Sequence, residues 1–406
     1  MLEFKDYLNG NHKEPIVVLG GGLVGSIFSN YINKSTDIKI KFIVDGNPVK
    51  QNKKLNGADV VSYDYLDSIE KTTPIFIAHR YIDSAISTLK NKKLSNVYII
   101  RDLITEIDPN KFYEGELVEI KRDRLLNYFV QMADKAKYLK KDILHLKSID
   151  IQVSEKCSLK CKDCCNLMQY YEKPKDVETE VLLKSIEKFM SCIDSLDEFR
   201  VLGGDPFMNK ELHKVMNKLA TYDKCKKIVV YTNARFLPKN DNLEVLKHPK
   251  VILEITDYGK KDSKAADQFV EMAKKENIAY QRSLVSEWED GGTIMPFISR
   301  SQSDLKSLFS NCCQADLITL LHGKLYRCPF SANGANLNAF PFNAKDEVNL
   351  LDEKLSIQEL RKQIKNLCFE KEYLTACSYC KGRTFESEKI KAAVQIKEPL
   401  NYSKLS

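Results

Sequence analysis

The chain has 406 residues, 43% hydrophobic and 29% charged, with a formal net charge of +7. That is a globular composition with room for two or three domains, and it excludes a disordered chain or a small exported disulfide scaffold. Charges where an export signal needs an apolar core, and no run of ~18 uncharged apolar residues, point to a cytoplasmic protein without a membrane segment.

Residues 1–105 read as a small α/β domain. Strands are predicted at 16–19, 40–44, 60–61, 75–78 and 97–100, alternating with helical or turn-rich stretches, which implies a parallel sheet. Gly20-Gly-Gly22-Leu-Val-Gly25 lies between the first strand and a helix over 23–32, the context of a dinucleotide fingerprint. Asp45, twenty residues after Gly25, ends the next strand, where it would meet a ribose. A tight turn without a ligand uses the same residues. His79-Arg80 at a strand end is a candidate phosphate contact or a plain surface pair. Phe42-Ile-Val-Asp45-Gly-Asn-Pro48 and 75–81 resemble the small Rossmann-like domains of bacterial polysaccharide- and sugar-modifying enzymes. That resemblance implies a nucleotide or nucleotide-sugar ligand.

Between 106 and 147, Leu125, Phe129, Met132, Ala136 and Leu139 fall at helical spacing, as in a linker helix. The lysine runs Lys92-Lys93, Lys140-Lys141 and Lys260-Lys261 mostly have acidic neighbours. They read as solvated faces rather than a nucleic-acid stripe, and a mildly basic surface suits an acidic flavodoxin- or ferredoxin-type electron donor.

A second α/β series spans 148–300. Strands are predicted at 149–153, 198–202, 228–232, 251–256 and 279–283, with helices at 181–193 and 212–219. A strand count near six with intervening helices suits an open, partial β/α barrel. Directly after the first strand comes Cys157-Ser-Leu-Lys-Cys161-Lys-Asp-Cys164. Gaps of three and two residues let one loop wrap three thiolates around one face of a cuboidal cluster. Zinc wants four ligands in a closed set, and a [4Fe–4S] cluster usually takes four cysteines. Three local ligands leave one iron open for an inner-sphere partner.

The CxxxCxxC loop after a first barrel strand resembles the radical S-adenosylmethionine enzymes. The resemblance implies a partial (β/α)6 barrel, a [4Fe–4S] cluster on Cys157, Cys161 and Cys164, and S-adenosylmethionine chelated by the open iron. It also implies a 5′-deoxyadenosyl radical that takes a hydrogen from substrate. Cys165 stands where the family commonly has an aromatic; it is a packing residue, a spare thiol or a hydrogen donor. Gly203-Gly204-Asp205-Pro206 resembles the family's GGEP, with Asp for Glu, and implies contact with the methionine ammonium. Thr232, Asn233, Glu254, Thr256 and Asp257 end later strands, where the family places adenosyl contacts. Trp288 and Asp290, after the last barrel strand, are candidate substrate contacts, and an aromatic ring anchoring a loop is equally consistent.

Seven of the twelve cysteines fall into two sets. The second comprises Cys313, Cys328, Cys377 and Cys380, and the spacing also admits Cys312 for Cys313. Within 301–390 this resembles a twitch- or SPASM-type auxiliary domain and implies a second [4Fe–4S] cluster; a structural zinc with the same thiolates is the alternative. Cys368, Cys192 and Cys225 read as core residues. Ser356 and Glu359 form a capping box, and 391–406 reads as a loose tail. The functional expectation is a radical enzyme acting on a small-molecule substrate, a carbohydrate or nucleotide-sugar, by oxidation, epimerisation or dehydration. Peptide modification and a non-catalytic zinc protein are the alternatives.

Overall fold

The structure is a computed structural model, and it describes residues 2–10, 12, 14–78, 85, 88–89, 92–112, 144–384 and 387–404. Two compact units divide the chain, Met1–Ile143 and Leu144–Ser406. His79-Arg80 and most of the expected linker helix fall outside the described residues. No described helix is long and apolar enough to cross a membrane.

The first unit is built on strands β1 (Leu2–Glu3), β2 (Ile16–Leu19), β3 (Ile40–Val44), β4 (Lys54–Leu55), β5 (Ala58–Val61), β6 (Ile75–Ile77) and β7 (Val97–Ile99), with helices α1 (Phe4–Asn9), α2 (Leu23–Ser35) and α3 (Arg101–Glu106). Their order is β1-β7-β6-β2-β3-β5-β4, parallel throughout except for the β4–β5 hairpin. Apart from the two edge additions this is a doubly wound order, which opens a crevice where it reverses beside β2. Every residue of β2 is buried, as a central parallel strand requires. The hairpin turns on Asn56-Gly57, both at positive φ, the pair that a two-residue turn selects. β1 and α1 have no periodic signature in the sequence. Phe4 and Tyr7 anchor them, edge-on to Phe76 with ring centroids 5.7 and 5.1 Å away, beside the pairing of β1 with β7.

The second unit holds an eight-stranded sheet. Its strands are β8 (His145–Gln152), β9 (Ser195–Leu202), β10 (Cys225–Thr232), β11 (Val251–Asp257), β12 (Tyr280–Leu284), β14 (Thr319–Leu321), β15 (Lys324–Tyr326) and β16 (Glu347–Asn349). A separate antiparallel pair joins β13 (Glu287–Glu289) to β17 (Lys389–Lys391). The order β12-β11-β10-β9-β8-β14 is parallel, and β15 and β16 continue it antiparallel. Five parallel strands therefore run in chain order, and the sixth enters at the opposite edge from the C-terminal segment. The expected barrel and auxiliary segments thus share one sheet and one compact unit.

Helices α4 (Thr179–Cys192), α5 (Leu212–Ala220), α6 (Asp241–Glu244) and α7 (Ala266–Lys275) link the chain-order strands. Strand side chains alternate between faces. Ile149, Ile151, Phe199 and Val201 share a core with Leu182, Ile186 and Phe189 of α4. The intervening positions are polar and pair across strands: Asp150 with Arg200 at 3.2 Å, Arg200 over the Tyr231 ring, and Ser283 donating to Glu254 at 2.6 Å. Cys192, Cys225 and Cys368 are buried in the apolar core, as expected. Further on lie α8 (Gln302–Ser310), α9 (Pro329–Asn336) and α10 (Ile357–Lys365), the last opened by the expected Ser356/Glu359 capping box.

Candidate functional site

The cysteine loop leaves β8 and is held from below by the turn after β9. Gly204 N donates to Ser154 O at 2.8 Å, and Asp205 N to Lys156 O at 2.9 Å. This contact explains both glycines. A Cβ at Gly203, whose φ is +158°, would lie 2.2 Å from Ser154 O. One at Gly204 would lie 2.2 Å from Lys156 O and 2.8 Å from the Cys157 Cβ. Gly204→Ala should therefore displace the loop, costing about 1–3 kcal/mol by overpacking together with iron content. Chemical denaturation and iron analysis check this, and wild-type values in both would show that the loop has room to yield.

Asp205 is buried and fully engaged within the protein. One carboxylate oxygen accepts from Phe207 N at 3.0 Å, the other from Thr232 Oγ1 at 2.8 Å and Asn233 N at 3.0 Å. Burial raises its carboxyl against the pull of these donors. Asp205 and Thr232, expected as cofactor contacts, tie the turn after β9 to the end of β10. That linkage aims Asn233 at the loop: its Nδ2 donates to Cys157 Sγ at 3.4 Å, while its Oδ1 accepts from Ser158 Oγ and Arg235 N.

Cys161 receives its donor from the other end of the unit. Gln395 Nε2 lies 3.2 Å from Cys161 Sγ. The expected loose tail is thus a correction: Val394 O and Lys160 O accept from Lys162 N and Ile396 N, and an isolated bridge joins Cys161 to Gln395. The polar backbone of 391–404 finds partners in a loop that has no other strand beside it. Burial first, then nearby carboxylate or thiol groups, push Cys157, Cys161 and Cys164 up to about 12. Three such thiols become thiolates together only with positive charge among them, which suits an iron–sulfur cluster. Among the described residues no three His, Cys, Asp or Glu side chains converge on a single-ion point. Thiolates serving different irons of a cuboid have no need to.

The remaining predicted residues scatter. Glu254 bonds Ser283 on the polar face of the sheet, and Asp257 is held by Arg282 at 2.6 Å and by Gly259 N at 2.7 Å. Thr256 O accepts from Ser263 Oγ at 3.3 Å. Asp290 is paired with Lys381 at 2.6 Å. Trp288 sits in β13, edge-on to Tyr258 at 5.5 Å, and packs with Leu159, Cys161 and Ala393. Its ring is a wall of the cysteine loop. Cys165 bears on Arg383 and Cys313, and its Sγ lies 3.8 Å from Asn166 Oδ1.

In the second set the thiols of Cys328, Cys377 and Cys380 each lie within electrostatic reach of Cys312. The groups bearing most on Cys313 are Arg383, Cys312, Glu289 and Cys165. That company favours Cys312 as the fourth thiol, the alternative that the sequence spacing admits beside Cys313. Cys328 caps α9, its Sγ accepting from Ser331 N at 3.3 Å, and Gly382 N lies 3.3 Å from Cys380 Sγ. Arg300 clamps the CxxC turn, donating to Cys377 O at 2.7 Å and Cys380 O at 3.0 Å. Cys164 packs against the apolar group around this set, so the two cysteine constellations adjoin.

In the first unit Gly25 lets α2 approach β2, since a Cβ there would fall 1.8 Å from Gly20 O. Gly22 caps α2 without a side-chain bond. Asp45, expected to face a ribose, accepts from Gly21 N at 2.7 Å with one oxygen, which braces the glycine loop, and from Asn47 N at 2.8 Å with the other, which closes the turn after β3.

Residues 151–277 match the family model of a 4Fe-4S single cluster domain. No curated protein matches the chain. Among solved structures, similarity extends to anSMEcpe with bound AdoMet and the Cp18Cys peptide (16% identity, 53% of this chain, 80% of that one, TM-score 0.37). BtrN in complex with AdoMet and 2-DOIA is similar at 16% identity over 63% of this chain and 98% of that one, TM-score 0.38. Streptococcus suis SuiB bound to precursor peptide SuiA is similar at 17% identity over 49% and 46%, TM-score 0.29.

Proposed function

We propose that this chain is a radical S-adenosylmethionine enzyme acting on a carbohydrate or nucleotide-sugar. The observation carrying the reading is the loop of Cys157, Cys161 and Cys164, three thiols with side-chain amides donating to two of them, inside the stretch that matches a single-cluster domain. These residues would hold three irons of a [4Fe–4S] cluster. When bound with S-adenosylmethionine, it supplies the electron that releases a 5′-deoxyadenosyl radical, which takes a substrate hydrogen. Cys312, Cys328, Cys377 and Cys380 are the ligands we assign to a second cluster.

This chain's own residues orient and exclude. Gly203 and Gly204 seat the cysteine loop, while Asn233 and Gln395 hold two of its sulfurs. Trp288 and Tyr258 wall it with apolar surface. On the polar face of the sheet, Arg200, Tyr231, Glu254 and Ser283 offer donors and acceptors suited to a substrate of many hydroxyls. The glycine loop Gly20–Gly25 is the place we assign to a nucleotide.

The test uses anaerobically reconstituted protein, S-adenosylmethionine, reductant and deuterated nucleotide-sugars, read as 5′-deoxyadenosine by mass spectrometry. The expected result is 5′-deoxyadenosine carrying sugar-derived deuterium. Cleavage without label transfer from any sugar would move the search to peptides, and no cleavage by iron-loaded protein would overturn the enzyme class.

A further inference from the structure

The segment from Lys389 to Tyr402 is held at several points and crosses the cysteine loop at its middle. It begins as β17 against β13, crosses Cys161 in antiparallel register, and leaves with Leu400 N donating to Gln169 O at 2.9 Å and Tyr402 Oη to Leu337 O at 2.8 Å. At the crossing, the Gln395 amide uses both ends. Its Oε1 accepts from Lys160 N at 2.8 Å, and its Nε2 reaches Ala393 O at 2.7 Å and Cys161 Sγ at 3.2 Å. The amide orientation is fixed by its partners, because the Lys160 N–H can only donate and the Ala393 carbonyl can only accept. Ala393, at φ +55°, makes the bend that points this side chain inward.

We propose that Gln395 is a positioning residue that sets the reduction potential of the cluster held by Cys157, Cys161 and Cys164. The inference rests on the cluster reading above. An N–H donor on a ligand sulfur stabilises the more negative, reduced state, and hydrogen bonds to the sulfurs are a main control of cluster potential. Asn233 serves Cys157 from the barrel strands. Gln395 serves Cys161 from a segment 234 residues away in sequence.

The experiment is an EPR-monitored redox titration of the reconstituted full chain, following the signal that S-adenosylmethionine perturbs. Gln395→Leu removes the donor at similar volume. Gln395→Glu keeps the acceptor for Lys160 N and replaces the donor with negative charge. Leu400→Ala loosens the strap without touching a sulfur. Gln395→Leu should lower the ratio of reduced to oxidised cluster at a fixed potential about tenfold, roughly 59 mV for a one-electron couple. Gln395→Glu should lower it further, and Leu400→Ala should leave it unchanged. An unshifted potential in iron-loaded Gln395→Leu overturns the proposal. So does an equal shift in Leu400→Ala, which would assign the effect to packing, and so does failure of both Gln395 variants to hold iron, which would make the residue purely structural. Wild-type protein with no S-adenosylmethionine-sensitive signal would instead overturn the cluster reading itself.

Discussion

Cys157→Ala, Cys161→Ala and Cys164→Ala should each reduce S-adenosylmethionine cleavage to background and remove the iron of one cluster. Each thiol serves a different iron in a set of three, so none is redundant. Cys165 stands next in sequence to Cys164 and near it in space, but a ligand there would lengthen the gap after Cys161 from two residues to three. It should not rescue the loss. Iron and sulfide analysis beside 5′-deoxyadenosine measurement checks both parts. Cleavage at the wild-type rate in any of the three would remove this loop from the chemistry.

The second large effect separates two adjacent cysteines. Cys312→Ala should remove the other cluster's iron and abolish substrate turnover while S-adenosylmethionine is still cleaved without coupling. Cys377→Ala should behave alike, because both thiols lie within electrostatic reach of Cys328 and of each other in the one set. Cys313→Ala should keep the iron of both clusters, since its side chain faces Arg383 and Cys165. The measurement pairs iron content with the ratio of product to 5′-deoxyadenosine. The reverse pattern, with iron lost in Cys313→Ala and retained in Cys312→Ala, would reassign the ligand.

Both predictions begin from residues visible in the sequence and end on a choice the sequence left open. Cysteine gaps of three and two residues place three thiols in one loop whatever the rest of the chain does. Alternating apolar positions in 149–153 and the Ser356/Glu359 box act over a few residues, so strand and helix cap were legible. Gly203, Gly204 and Asp205 were legible as a motif, and their packing role was not. The glycines and the acid fit the neighbouring loop and the end of β10, a packing relation with no local signature.

The sequence by itself determined the local chemistry: which cysteines are close in one loop, where strands alternate, and which turns need glycine. Only the tertiary structure decided what approaches those groups. It brought Cys312 within electrostatic reach of Cys328, Cys377 and Cys380, because side-chain direction depends on how the turn after α8 docks. It turned an apparent tail into the strap that brings Gln395 to Cys161, and it spread the other strand-end residues among separate pairs. Periodicity encodes contacts between neighbours in the chain. A hydrogen bond between residues 234 positions apart exists only once the sheet, the loop and the strap are folded together.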